Sequence, residues 1–133
     1  MILVDTSVWI DYLNGADNQY TATLDAELIQ GTVAIGDVIF LEILQGIRND
    51  KEYENTRVRL STLDRYEMFG HRVVESCAGN YRRLRKKGIT VRSTLDAVIA
   101  TFCIENNFPL LFKDKDFHPF VDYLNLSPVP LKT

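Results

Sequence analysis

Cysteine and histidine are scarce in this chain, and their scarcity excludes several kinds of catalytic site. The sequence has two cysteines, Cys77 and Cys103, outside any CxxC spacing, and two isolated histidines, His71 and His118. Zinc sites need clusters of such ligands, and nucleophilic triads need a histidine base near a serine or cysteine. We therefore expect two core thiols in helices rather than a disulfide or a metal pair, and neither zinc nor Ser-His or Cys-His catalysis.

Long apolar runs are absent as well, and this absence bears on the expected location of the protein in the cell. No stretch approaches the roughly 20 apolar residues that span a bilayer, and no basic, signal-like segment stands at the N-terminus. We therefore expect a cytoplasmic protein with no membrane partner. The 133 residues fit a single domain, 1–133, with one core, and a hydrophobic content of 46% argues against disorder.

Positive charge is missing from the first third of the chain, where no lysine or arginine precedes Arg48. The middle third is basic, most densely in YRRLRKKG at 81–88. This uneven distribution indicates that the protein binds cations at one place and a polyanion at another. The alternative is an ordinary charged helix surface, because lysine and arginine are also favoured in the last turn of a helix that ends at a glycine such as Gly88.

Short apolar segments alternate with segments of helical periodicity along the whole chain. Residues 2–4, 32–36 and 110–112 predict strands covered on both faces, and the proline-containing tail indicates an edge strand or an extended strap. Helices are predicted over residues 7–15, 18–31, 37–49, 71–88 and 93–107, with a polar, helix-prone segment at 50–67. The alternation predicts an α/β fold, a three-layer α/β/α sandwich around a short, mainly parallel sheet.

Two acidic segments directly follow predicted strands. Asp5 comes after the first strand, and Asp114 after the strand at 110–112, with Asp116 close behind. Ligands of open α/β sheets bind at the carboxyl ends of the strands, so we expect Asp5 and Asp114 to face one cleft. The alternative for Asp5 is a turn aspartate before a helix that Thr6 or Ser7 caps.

Two further acids lie in helices. Glu42 stands inside the apolar run IFLEIL, where a lone buried carboxylate is costly and needs a partner or a metal, unless it belongs to a solvent-facing stripe. Asp96 follows a Ser93 or Thr94 cap, where the helix dipole stabilises a negative charge in any case. Carboxylate oxygens without histidine or cysteine are the ligands that Mg²⁺ and Mn²⁺ prefer. Together the acids indicate a metal site for phosphoryl chemistry beside a segment that binds a polyanion.

The sequence resembles a PIN-domain ribonuclease, in particular a VapC-type toxin of a toxin–antitoxin pair. The matching segments are VDTSVWIDYL from Val4, EILQG from Glu42, TLDAVIATFCIENN from Thr94 and LLFKDKDF from Leu110. They follow the order of the family from the first strand to the last loop. The resemblance implies the catalytic acids Asp5, Glu42, Asp96 and Asp114, the same four with Asp116 as the ligands of Mg²⁺ or Mn²⁺, and Thr6 as a supporting hydrogen-bond donor.

The same resemblance implies a metal-dependent endoribonuclease that cleaves RNA, with tRNA or another structured RNA as the expected target, and thereby stops translation. Asp5, Asp96 and Asp114 are expected to bind the metal, and Glu42 to help orient the attacking water. A cognate VapB-type antitoxin and a toxin homodimer are the expected partners. The candidates for phosphate contacts are Arg85, Lys86, Lys87 and Arg92.

One residue departs from the family pattern. Many relatives have serine or threonine two residues before the last catalytic aspartate, where this chain has Phe112. A polar contact to the site is therefore not expected at this position, whereas the four acids are unaffected.

Three other classes of protein are alternatives to this resemblance. A phosphoacceptor receiver domain needs an acidic pair after the first strand, and haloacid-dehalogenase-type phosphatases need DxD there, whereas here Thr6 and Ser7 follow Asp5. A catalytically silent PIN-like module that binds RNA or a partner is the serious alternative. The presence of all four acids argues against it, because silent relatives usually lose one.

Overall fold

A small parallel sheet forms the centre of the computed structural model, which describes residues 1–132. Its strands are β1 (Leu3–Val4), β2 (Ala34–Gly36), β3 (Asp64–Tyr66) and β4 (Leu110–Leu111). Strand β1 pairs with β4 and β2 with β3, both in parallel, and a parallel bridge between Ile2 and Val33 joins the two pairs. The strand order is therefore β3-β2-β1-β4. The tail bridges to β4 on its other side through Pro128, which confirms the predicted edge strap.

Helices cover both faces of this sheet. The helices are α1 (Thr6–Leu13), α2 (Gln19–Ile29), α3 (Asp37–Gln45), α4 (Asp50–Leu60), α5 (His71–Lys86), α6 (Thr94–Asn106) and α7 (His118–Leu124), with a 3₁₀ turn at Lys115–Phe117. Helix α1 packs on α2 and α3, and α5 packs on α6 and α7. Strands β1, β2 and β4 are entirely buried, as strands between two helical layers must be. The predicted three-layer α/β/α sandwich is confirmed.

Helix α6 is the most deeply buried helix of the fold, and its limits follow from its sequence. Ser93 occupies the N-cap position and accepts a hydrogen bond from the Asp96 amide at 3.2 Å, as predicted. All residues from Ala97 to Cys103 are buried. Asn107 ends the helix in a left-handed conformation. Cys77 in α5 and Cys103 in α6 are both buried and free, so the expectation of two helical core thiols is confirmed.

The helix predicted over 37–49 is shorter in the structure. It ends at Gln45, and a new helix begins at Asp50 because the Asn49 side chain accepts a hydrogen bond from the Glu52 amide at 2.9 Å. The polar segment at 50–67 divides into α4 and the edge strand β3. Within residues 1–132, no helix combines the length and the hydrophobicity that crossing a bilayer requires.

Substitutions at two glycines provide a matched test of this packing. Gly36 ends β2, and a Cβ atom there would collide with the buried Met68 side chain, so we expect Gly36→Ala to lower the free energy of unfolding by about 1–3 kcal/mol. Gly79 lies inside α5 with open space around its Cα, and Gly79→Ala should raise stability by about 0.5–1 kcal/mol. Urea denaturation measures both, and equal stability of Gly36→Ala and wild type would contradict the Met68 packing.

Candidate active site

Strand β1 places Asp5 at the carboxyl edge of the sheet. The Asp5 amide donates to the Leu111 carbonyl of β4 at 2.9 Å, and the residue also occupies the N-cap position of α1. Its side chain does not cap that helix. Instead, Asp5 Oδ2 accepts a hydrogen bond from Ser7 Oγ at 2.9 Å, and the residue is only 5% exposed. The alternative in which Thr6 or Ser7 caps the helix is therefore wrong.

Helix α3 brings Glu42 to the same region. Because α1 packs on α3, Thr6 Oγ1 can donate to Glu42 Oε1, at a distance of 2.7 Å. Glu42 is half-buried, and the hydroxyl of Thr6 is the partner that such a carboxylate needs. The structure thus places Thr6 beside one of the predicted acids.

Three aspartates meet where α6 begins and β4 ends. Carboxylate oxygens of Asp96, Asp114 and Asp116 lie within 4.8 Å of one another. Asp96 lies in the first turn of α6, and Asp114 is the N-cap residue of the 3₁₀ turn. The Asp114 side chain accepts from the Asp116 amide at 2.9 Å, so this turn folds Asp116 back toward its neighbours.

The acids influence one another electrostatically, which shows that they face one region. The pKa of Asp96 is raised from 3.8 to about 7, first by burial and then by four neighbouring charges. These charges belong to Asp5, Asp114, Glu42 and Asp116. Burial also raises the pKa of Asp5, the hydrogen bond from Ser7 offsets part of this effect, and the charge of Glu42 adds to it.

Among residues 1–132, the ion pairs of the protein form away from the site acids. Its ion pairs join Arg57 to Glu54, Arg72 to Glu105 and Lys113 to Asp11, and none includes the five site acids. A group of carboxylates without an internal cation has the oxygen-rich, anionic character that suits a hard divalent ion. These residues therefore fit Mg²⁺ or Mn²⁺.

The four predicted phosphate contacts differ in their surroundings. Arg92 lines a groove together with Asp96 and Asp116. The Arg85 guanidinium lies 5.7 Å from the centre of the Tyr81 ring, and Lys87 Nζ lies 5.0 Å from the centre of the Tyr123 ring. Lys86 is exposed in the last turn of α5.

Further features of the site region lie at Phe112, at Ser7 and in helix α7. Phe112 packs against Phe117 and His118, with ring centres 5.2 and 5.8 Å apart, so the residue that departs from the expected pattern belongs to an aromatic cluster. Ser7 donates to Asp5 rather than capping the helix, and its place two residues after Asp5 is a sequence signal for such a side-chain contact. His118 and Tyr123 lie in α7, which the sequence pattern does not predict.

Comparisons with known proteins agree with this fold. The chain belongs to the PIN domain family, which it matches over residues 2–120. Within that family it is homologous to VapC ribonucleases. The VapC ribonuclease Mb1587 of Mycobacterium bovis and the ribonuclease VapC11 of Mycobacterium tuberculosis are each 28% identical to it over 129 residues, which is 96% of this chain and 96% of each relative.

Solved structures, among them VapBC toxin–antitoxin complexes, share the fold. A chain of VapBC2 from Rickettsia felis, bound to a promoter DNA fragment, superposes with a TM-score of 0.77 at 19% identity and covers 97% of this chain and 98% of its own. A chain of FitAcB from Neisseria gonorrhoeae gives a TM-score of 0.73 at 18% identity, with coverages of 98% and 97%.

The raised pKa of Asp96 predicts how the metal-free protein responds to pH. Between about pH 4 and pH 7 the unfolded chain releases this proton while the folded chain retains it, so stability falls as the pH rises. Asp96→Asn removes the penalty, and after discounting for solvent screening we expect it to stabilise the protein by about 1–2 kcal/mol at about pH 8 and by much less at about pH 5.

Thermal unfolding in EDTA at these two pH values measures the effect. Glu75→Gln, at an exposed acid of α5, is the control and should keep the pH dependence of wild type. The same pH dependence in Asp96→Asn and wild type would show that Asp96 does not carry the proton.

Proposed function

We propose that this chain is a metal-dependent endoribonuclease, the toxin of a toxin–antitoxin pair. The observation that carries the proposal is the meeting of carboxylate oxygens of Asp96, Asp114 and Asp116 within 4.8 Å of one another. The charges of Asp5 and Glu42 also raise the pKa of Asp96, and no cation is paired with these five acids among residues 1–132. Such a site is suited to phosphodiester hydrolysis assisted by a divalent ion. The relatives named as ribonucleases support the same conclusion.

The ion would be Mg²⁺ or Mn²⁺, held by Asp5, Asp96 and Asp114 with Asp116 as an auxiliary ligand. When bound, it supplies acidity to water and neutralises charge on the phosphate. Asp5 is suited to a fixed ligand position because its backbone belongs to the sheet and Ser7 orients its side chain. The buried start of α6 positions Asp96 in a similar way.

Glu42 is proposed to complete the site by orienting the attacking water. Its Oε1 atom accepts from Thr6, which leaves Oε2 to accept a hydrogen bond from water. The water oxygen attacks phosphorus as its proton passes to a site carboxylate and on to solvent. The bond between phosphorus and the leaving oxygen of the RNA breaks, and that oxygen takes up a proton from water, which leaves two RNA fragments. No histidine base is required, because carboxylates can accept the proton of a water whose pKa a bound divalent ion would lower.

RNA is the proposed substrate, with tRNA or another structured RNA as the target and arrest of translation as the result. Arg85, Lys86, Lys87 and Arg92 are the proposed phosphate contacts, since phosphate binding depends chiefly on lysine and arginine. A VapB-type antitoxin is the proposed partner, supported by the fold shared with toxin–antitoxin complexes. A homodimer in the cytoplasm completes the proposal.

A catalytically silent PIN-like module that binds RNA or a partner is the second candidate. The mutual charge effects among the acids disfavour it, because a module that only binds would not need to keep several repelling carboxylates together.

An RNA cleavage assay tests the proposed activity. Purified protein, free of co-purified partner, is incubated with total tRNA in Mg²⁺, in Mn²⁺ and in EDTA. We expect discrete fragments with either metal and none in EDTA, because the carboxylates need the ion to act on phosphate. Asp5→Asn should also abolish cleavage.

The matched control is Asp64→Asn, at an exposed acid that begins β3, at the opposite end of the parallel sheet from Asp5. It should cleave as wild type does. Intact tRNA in every lane, with the RNA retained by the protein, would overturn the assignment for this substrate and favour the silent module.

Thr6 provides a second test of the site. Thr6→Val keeps the shape of the side chain but removes the donor to Glu42, and loss of such a supporting contact typically costs about 10- to 100-fold in activity or metal affinity. Thr6→Ser retains the hydroxyl and should stay within a few-fold of wild type, by analogy with other hydroxyl donors. Cleavage rates across a Mg²⁺ titration measure the effect, and equal rates for Thr6→Val and wild type would show that Glu42 needs no such support.

A further inference from the structure

A groove extends from the acid cluster across the surface, between the end of α5, the start of α6 and α7. Its volume is about 480 Å³, within the range of small-ligand sites. Asp96 and Asp116 are among its lining residues, so the groove includes part of the proposed catalytic site.

The groove combines apolar and cationic surfaces. Ile89 and Val91, in the segment between α5 and α6, contribute apolar side chains that are only half-buried. Arg92 and Lys115 add exposed positive charges close to the acids. A simple anion would not need the apolar surface, and an apolar peptide would not need two cations beside the acids. The combination suits a flat apolar group that carries a phosphate.

Tyr123 is the aromatic residue best placed to bind such a group. It lines the groove and is 52% exposed, so its ring is accessible to a ligand there. Lys87 Nζ lies 5.0 Å from the centre of its ring, so a positive charge accompanies the aromatic surface. Aromatic rings beside lysine or arginine are the usual means of binding unpaired bases.

We propose that this groove binds the nucleotide next to the scissile phosphate, with Tyr123 contacting the base and Arg92 and Lys115 contacting its phosphate. The proposal rests on the proposed function, because it places the rest of the substrate beside the same acids. Asp122 and His118 also line the groove. Asp122 can accept hydrogen bonds from base amino groups, and His118 can donate to or accept from a base.

Binding of a mononucleotide tests the base contact without cleavage. Isotope-labelled full-length protein in EDTA is titrated with adenosine 5′-monophosphate and with ribose 5-phosphate, and backbone amide shifts are followed by NMR. We expect the nucleotide to bind at least about fivefold more tightly, the lower end of what one stacked base contributes. Shifts should concentrate at residues 89–93 and 118–123.

Tyr123→Ala should remove the difference between the two ligands. The matched control is Tyr53→Ala, at a tyrosine of α4 that is 37% exposed and lies outside the groove, and it should keep the difference.

Lys115→Gln should weaken the binding of both ligands. Lys51→Gln, at an exposed lysine of α4, should weaken the binding of neither. With an RNA substrate, Tyr123→Ala should raise KM about fivefold and change kcat little.

Three outcomes would overturn the proposal: equal affinity of wild type for the two ligands, shifts far from the groove, or a Tyr123→Ala protein that still discriminates between them. A Tyr123→Ala protein that loses affinity for its antitoxin but binds the nucleotide normally would also overturn it, and would assign the groove to a peptide. Absence of RNA cleavage with either metal, together with the expected nucleotide discrimination, would overturn the proposed function and leave the nucleotide site supported.

Discussion

The hydrogen bond from the Asp5 amide to the Leu111 carbonyl fixes the arrangement on which the site depends. It makes β1 and β4 neighbours in a parallel sheet, so the segments after both strands leave at one edge. Asp5 and Asp114 are far apart in sequence, and this pairing brings them to the same region. Helices α3 and α6 then need only to pack against the sheet for Glu42 and Asp96 to join them.

This arrangement concentrates negative charge and therefore opposes folding. The raised pKa values of Asp5 and Asp96 reflect the free-energy cost of keeping these carboxylates charged in the folded protein. This cost arises first from burial and then from neighbouring carboxylates. The fold offsets part of it with local donors, since Ser7 donates to Asp5 and Thr6 to Glu42. The remaining excess of charge can be neutralised by a proton or by a divalent ion, which links stability to pH and metal through the same carboxylates.

The sequence predicted the parts of the structure that follow from local rules. The apolar strands and the parallel-sheet rule correctly placed Asp5 and Asp114 at one edge, and the Ser93 cap placed Asp96 at the start of α6. The edge strand β3 reads Asp-Arg-Tyr and has no buried face that would impose an alternating pattern, so it was missed. The groove depends on α7, whose apolar residues Phe120 and Leu124 are too few to establish a helical period.

The basic residues show why density along the chain predicts less than position in the fold. The run at 81–88 suggested one polyanion-binding surface, yet its side chains diverge, with Arg85 over Tyr81 and Lys87 over Tyr123. Lys113, next to Asp114 in sequence, pairs with Asp11 instead. Among residues 1–132, the cations near the acids are thus not paired with them, because Arg92 and Lys115 are exposed and Lys113 pairs with an acid outside the cluster. Because these cations do not neutralise the site acids, the carboxylates of the site stay available to a divalent ion. The same cations are close enough to attract a polyanion, which the acids alone would repel.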